Sequence, residues 1–115
     1  MATVNDPNIG LQTHNRQTVL HLASQRGLLD IIRLLLEKGL NVDALDDNGS
    51  TPLHLAISGW EPRAAELLLE HGANIGLQNH KRQTMLHLAS QCGLLDIMRH
   101  LLGKGANVEI GRAHV

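Results

Sequence analysis

Short apolar stripes at helical spacing occur in pairs along this chain, and a polar turn separates each pair from the next. In the middle of the chain, one stripe at residues 53–56 follows the turn sequence DDNGS, and a second runs through residues 61–72. Thr51 fits an N-cap, Pro52 fits the first position of a helix, and Gly72 fits the C′ position after one. The pattern predicts two short helices joined by a loop.

This helix–loop–helix pattern occurs three times, at a spacing of 33 residues. Thr18, Thr51 and Thr84 keep that spacing, and so do the histidines that follow each of them by three positions. Residues 79–111 repeat 22 of the 33 positions of residues 13–45, which chance does not explain. A period of this length is typical of a repeat protein. We therefore divide the chain into an N-terminal segment at 1–12, three repeats at 13–45, 46–78 and 79–111, and a C-terminal tail at 112–115.

The predicted helices are too short to be stable alone, since each has about three turns or fewer. Stacking against the next copy would bury their apolar stripes and make stability a sum of interfaces between neighbours. Five aliphatic residues of the first repeat are then expected to pack against their counterparts in the second: Leu20, Leu22, Ile31, Leu34 and Leu35.

The sequence TPLHLA at residues 51–56 resembles the T-P-L-H-x-A signature of the ankyrin repeat family, and the period matches as well. The resemblance covers residues 13–111. It implies an all-α solenoid of stacked helix–turn–helix units with turn or hairpin loops between them. It also implies a non-catalytic module that binds a protein partner on a concave face formed by the turn tips and the first helices. The alternative is a structural spacer or scaffold segment of a longer array.

The resemblance places the candidate contact residues on the turn tips and on the exposed ends of the first helices. Trp60 joins them because large rings are enriched among binding anchors, although it could equally cover its own repeat. The predicted partner-binding residues are His14, Asn15, Gln17, Gln25, Arg26, Asp47, Asn48, Ser50, Ser58, Trp60, His80, Lys81, Gln83, Gln91 and Cys92.

Charge alternates across these predicted turn tips. The outer tips carry Arg16, Lys81 and Arg82, and the middle tip carries Asp46 and Asp47. A partner with the opposite order of charges would gain orientation and association rate. The alternative is ordinary solvated charge.

Five positions depart from the family pattern. Val19 and Met85 stand where the family prefers a proline at the first helical position. Arg16 and Arg82 stand where the family prefers a glycine in the turn, a position suited to positive φ. Trp60 stands at the usual glycine between the helices, and Gly59 comes one place early. We expect that loop to be rebuilt locally.

Eight histidines invite a search for a metal or catalytic site. His21, His54 and His87 occupy equivalent positions and would lie about 10 Å apart in a stack, too far to share one ion. We expect each ring to bond the threonine three residues earlier and nearby turn backbone. The other histidines show no ligand spacing, and Cys92 stands alone. The sequence predicts no enzyme, no metal and no cofactor.

Composition restricts the class of partner. The net charge is −1 and there is no Phe or Tyr, which argues against nucleic acid as the partner because its binding needs phosphate neutralisation or base stacking. No apolar run approaches 18 residues, so no membrane span is expected. The single cysteine excludes an internal disulfide and favours an intracellular location, cytoplasmic or nuclear.

The first and third repeats lack the polar outer faces expected of capping repeats. Residues 8–12, NIGLQ, recur at 74–78, so the N-terminal segment looks like the tail of a preceding repeat. We expect either continuation in a longer array or self-association through the uncapped ends.

Overall fold

The structure, a computed structural model, describes residues 17–105. Within this range every regular element is helical, which confirms the predicted all-α class. The predictions for His14, Asn15 and Arg16, and for residues 1–12 and 112–115, lie outside the described residues. The helices are α1 (Val19–Arg26), α2 (Leu29–Glu37), α3 (Pro52–Ser58), α4 (Pro62–Glu70), α5 (Met85–Cys92) and α6 (Leu95–Gly103).

A threonine and a histidine together begin the first helix of each pair. At α3 the Thr51 hydroxyl accepts a hydrogen bond from the backbone N–H of His54, and the His54 ring accepts one from the backbone N–H of Thr51. Thr18 and Thr84 make the same reciprocal bonds at α1 and α5. This capping box satisfies two donors that the helix itself leaves unpaired. Pro52 follows as the first helical residue, as predicted.

The loop between α3 and α4 follows the same path as its equivalents, so the predicted local rebuilding is wrong. Gly27 ends α1 with φ 70, and Trp60 takes the corresponding conformation with φ 62. The hydrogen bonds also match: the N–H of Glu61 donates to Ala56 at 2.8 Å, as the N–H of Leu28 donates to Ala23 at 3.0 Å. Trp60 therefore adopts a backbone conformation that normally selects glycine.

Gly59, one residue before Trp60, is required for a different reason, the close approach of two backbone segments. At Gly59 an added Cβ would lie 2.8 Å from the carbonyl oxygen of Gln25 and 2.9 Å from that of Leu55. The backbone of α3 thus approaches the end of α1 too closely for a side chain at this position. The equivalents of Gly59 are Arg26 and Cys92, so this close approach is particular to the middle pair.

The helix pairs stack in chain order. The first helices pack α1 against α3 and α3 against α5, and the second helices pack α2 against α4 and α4 against α6. Equivalent leucines such as Leu35, Leu68 and Leu101 are buried in all three pairs. The core is thus translated from one pair to the next, as neighbour-to-neighbour stacking requires.

Two of the five residues predicted to pack in the first repeat are exposed. Ile31 and Leu34 are 47% and 48% exposed, while Ile32 and Leu35 on the same helix are buried. Ile31 and Leu34 are exposed because they lie on the side of α2 that is turned away from the second helix pair. Their equivalents Ala64 and Leu67 are buried against the first pair.

Candidate functional site

An aspartate or asparagine side chain shapes each described turn tip. The Asp46 carboxylate accepts hydrogen bonds from the backbone N–H groups of Asn48 and Ser50, both at 2.9 Å. Asn79 does the same one repeat later with the N–H groups of Lys81 and Gln83, both at 3.0 Å. Such side-chain-to-backbone bonds replace a regular ladder and fix the tip. The side chains between them are held in position on the surface.

The role of Asp46 changes the predicted charge pattern. Asp46 is only 6% exposed, and its second oxygen lies 3.4 Å from the side-chain nitrogen of Gln17. The Asp46 carboxylate therefore accepts hydrogen bonds from backbone N–H groups inside the tip and is not presented on the surface. The exposed charges of the described tips are Asp47 on the middle tip and Lys81 with Arg82 on the last.

Two of the three capping histidines, His21 and His54, also bond to the next turn tip. The Nε2 atom of His21 lies 2.9 Å from the carbonyl oxygen of Ser50, and that of His54 lies 3.3 Å from the carbonyl oxygen of Gln83. A carbonyl oxygen only accepts, so Nε2 carries the proton and Nδ1 is left to accept from the threonine. The expectation that the rings bond threonine and turn backbone is confirmed for both residues.

Burial lowers the pKa of His54 below its ordinary value of 6.5. The hydrogen bond to Gln83 and the charge of Asp46 act in the opposite direction, but desolvation is the larger effect. The neutral ring is the form that can both donate from Nε2 and accept at Nδ1. Protonation at Nδ1 would remove the acceptor that the capping box offers to the N–H of Thr51, whereas the Nε2 donor to Gln83 would remain.

The two described tips touch each other directly. The backbone N–H of His80 donates to the carbonyl oxygen of Asn48 at 2.8 Å. The His80 ring lies over Gly49, where an added Cβ would come within 2.5 Å of the ring. Gly49 has φ 72, and Arg82 holds the same conformation in the last tip with φ 63. The prediction that Arg82 stands at a position suited to positive φ is confirmed.

Between these two tips and the helices α3 and α5 lies a groove with a volume of about 330 Å³. Eight of the nine residues that line it have polar side chains, with hydroxyl, amide, imidazole and amine groups, and the ninth is a buried leucine. The residues that line it are Asn48, Ser50, His54, Ser58, Asn79, His80, Lys81, Gln83 and Leu88.

Six of the residues predicted from the sequence come together in this groove. They do not contribute equally, because Ser50 is only 6% exposed and acts mainly through its backbone, whereas His80 and Lys81 are exposed. Lys81 is the only lysine, arginine or carboxylate residue among the nine that line the groove. The six are Asn48, Ser50, Ser58, His80, Lys81 and Gln83.

The other predicted residues within the described range lie outside the groove. Trp60, 65% exposed, sits beyond the end of α3 that is remote from the tips. Cys92 and Gln17 are half-buried. The remaining four are exposed: Gln25, Arg26, Asp47 and Gln91.

Three residues of the groove were absent from the prediction. Asn79 is the equivalent of Asp46 one repeat later, so the repeat spacing alone could have predicted that its side chain belongs to the turn tip. His54 was interpreted only as part of the helix cap and Leu88 was not singled out, because sequence spacing does not reveal which edge of a buried side chain reaches a surface. Both become visible only when the stack is assembled.

Residues 17–105 contain no group of three or more His, Cys, Asp or Glu side chains placed to hold a metal ion. In the same part of the chain, no helix has the length and apolar character needed to cross a membrane. What the groove offers is hydrogen bonding, one cation and a small apolar floor.

Comparison with known families identifies the stack. A family model described as ankyrin repeats (3 copies) matches residues 2–79. The chain belongs to the ankyrin repeat family. A second model, described as ankyrin repeats (many copies), matches residues 68–114. A comparison with curated proteins gives no match. Ankyrin repeats are in general protein–protein interaction modules, and the family is typically non-catalytic.

Proposed function

We propose that this ankyrin stack is a non-catalytic module that binds a protein partner on the concave face formed by its turn tips and first helices. The groove between the second and third tips is the centre of that face. The observation that carries the proposal is the meeting of six predicted contact residues around one groove of about 330 Å³. The proposal includes the repeat boundaries 13–45, 46–78 and 79–111, and an intracellular setting.

The chemistry of the groove indicates what the partner presents. Lys81 lies at its rim as an exposed cation, and Arg82 follows it on the same tip. An acidic side chain of the partner would be attracted to this rim. Neighbouring Asn48 and Ser58 supply hydrogen-bonding groups, and Leu88 supplies apolar contact. The partner is therefore a protein segment with an acidic residue beside small polar or apolar residues.

The test is affinity capture with matched variants, followed by binding measurements on each captured protein. Ser58→Arg fills the groove and should remove binding, and Lys81→Gln should weaken it about three- to tenfold, mainly through slower association. Arg99→Gln is the control, because Arg99 is an exposed cation on α6 away from the groove. Circular dichroism confirms that each variant is folded.

Three outcomes would contradict the proposal. One is a partner that binds Ser58→Arg as tightly as the unaltered chain. Another is a partner that loses as much affinity through Arg99→Gln as through Lys81→Gln. If the folded chain captures no protein, the alternative of a structural spacer or scaffold segment is favoured instead.

A further inference from the structure

Equivalent positions of the three helix pairs differ in burial. These differences show which side of a helix pair contacts the preceding pair and which side contacts the following pair. The position held by Ile31, Ala64 and Ile97 is exposed in the first pair and fully buried in the other two. Leu34 is exposed and its equivalent Leu67 is buried. These positions therefore face the preceding helix pair, and we call this side the preceding face.

The opposite side shows the reverse trend. Ile32 and Ala65 are fully buried, whereas their equivalent in the third pair, Met98, is only half-buried. Leu69 is 1% exposed and its equivalent Leu102 is 42% exposed. These positions face the following helix pair, and we call this side the following face.

At the positions equivalent to Ile31 and Ile32, each of the two described interfaces has one isoleucine and one alanine. Between the first and second pairs, the following face contributes Ile32 and the preceding face contributes Ala64. Between the second and third pairs, the following face contributes Ala65 and the preceding face contributes Ile97. All four side chains are fully buried. Because interiors are close-packed, a second large residue in place of either alanine would overpack the interface.

At these positions both exposed end faces carry a large residue and not an alanine. The preceding face of the first pair presents Ile31 with Leu34 and Val19, and the following face of the third pair presents Met98 with Leu102. Head-to-tail association of two copies, which is one form of the self-association expected from the sequence, would bring Met98 and Ile31 into one interface. At these two positions that arrangement places two large residues, where each existing interface has one isoleucine and one alanine.

We propose that each end face binds an ankyrin helix pair of the middle type, with alanine at the facing position. Such a pair placed after α6 would set the equivalent of Ala64 beside Met98, as Ala64 is combined with Ile32 within the chain. Placed before α1, it would set the equivalent of Ala65 beside Ile31, as Ala65 is combined with Ile97. Both new interfaces continue an interface that the structure already contains.

The sequence before the first repeat supports the same neighbour. Residues 74–78 follow α4 of the middle pair with the sequence NIGLQ, and the same five residues stand at 8–12, directly before the first repeat. The first and third repeats lack this sequence at the equivalent places, 41–45 and 107–111. The stretch that leads into α1 thus has the sequence signature of the middle type.

The test adds a neighbour to the full chain. A copy of residues 46–78 is inserted between residues 111 and 112, which keeps the repeat register, and hydrogen exchange is measured on the backbone amides of α6. We expect the added pair to raise the protection of these amides at least about tenfold, because it covers Met98 and Leu102. An identical insertion with A64I in the copy is the matched control, and it should lose most of that protection. Adding M98A to this control should restore protection by providing the small residue.

The proposal is wrong if the A64I copy protects α6 as well as the unaltered copy, or if M98A fails to restore protection. It is also wrong if the original chain forms a head-to-tail oligomer in size-exclusion chromatography with light scattering. None of these substitutions lies in the groove between the tips, so the proposed function is tested separately.

Discussion

Two residues with side chains hold a backbone conformation that favours glycine. Trp60 and Arg82 have φ values of 62 and 63, and their equivalents Gly27, Gly93 and Gly49 have the same conformation. A non-glycine residue there costs on the order of 1 kcal/mol or more. In both cases the turn geometry of the repeat prevails over the residue preference, because the flanking hydrogen bonds hold the chain in place.

Trp60 allows this cost to be measured, since its ring is mostly exposed and contributes little packing. We expect Trp60→Gly to be more stable than Trp60→Ala by about 0.5 to 1 kcal/mol, after allowing for the greater freedom of glycine in the unfolded chain. Urea unfolding of the two variants gives the difference directly. Equal stabilities would show that the φ of 62 carries no strain. The same variants test the binding role, because an anchor would lose partner affinity in both.

His54 gives the molecule a pH dependence whose direction follows from its lowered pKa. Above pH 6.5 the residue is mostly neutral in both the folded and unfolded chain. Below 6.5 the unfolded chain takes up the proton first, so stability is lost as the pH falls toward the pKa of the folded state. We expect the free energy of unfolding to decrease between pH 7.5 and 5.5, and to decrease less in His54→Asn. An unchanged pH dependence in the variant would contradict this assignment.

At the scale of elements, the sequence predicted the helices because their ends are marked chemically. A threonine cap begins each first helix, and Gly39 and Gly72 follow the second helices with φ values of 86 and 84. Pro52 is the first residue of α3, as predicted, and the predicted C′ residue Gly72 follows the last residue of α4 by two positions. Local hydrogen bonding decides these features, and local sequence is enough to read it.

The sequence could not predict in the same way which neighbouring helix pair each apolar side chain faces. The apolar stripe of α2 is broad, and nothing in it shows that Ile31 faces the preceding neighbour and Ile32 the following one. The burial of Asp46 was missed for a related reason, since its charge suggested an exposed tip while its oxygens satisfy backbone donors. Both depend on which groups the stacked neighbours and turns provide.

The first helical position tests how capping and stacking combine. Pro52 occupies it in α3, while Val19 and Met85 occupy it in α1 and α5. Thr18 has φ −83 and ψ 170, which a following proline accepts. We expect Val19→Pro to stabilise the chain by about 0.4 to 1 kcal/mol through the unfolded state. Thermal or urea unfolding measures this change.

Met85→Pro provides the matched contrast at the equivalent position. Thr84 has nearly the same backbone angles as Thr18, but Met85 is fully buried against the middle pair. The loss of its side chain should cost about 2 kcal/mol or more, which exceeds the gain from proline. Stabilisation by both substitutions would show that the position of the residue in the stack has no effect.

At the scale of the whole molecule, the account depends on helix pairs that are stabilised by their neighbours. The helices have seven to nine residues, too short for independent stability. The middle pair alone has described neighbours on both sides, and α4 accordingly buries five residues where α2 and α6 bury two each. The groove for a partner is a consequence, because its position is set by the contact between successive tips.

Native-state hydrogen exchange tests this claim most directly, because it reports the opening free energy of each helix separately. The account predicts the slowest exchange in α3 and α4 and faster exchange in both flanking pairs, with the amides of α2 and α6 opening before those of α4. Equal protection across all six helices, or greater protection in α1 and α2 than in α3 and α4, would contradict stabilisation by neighbours.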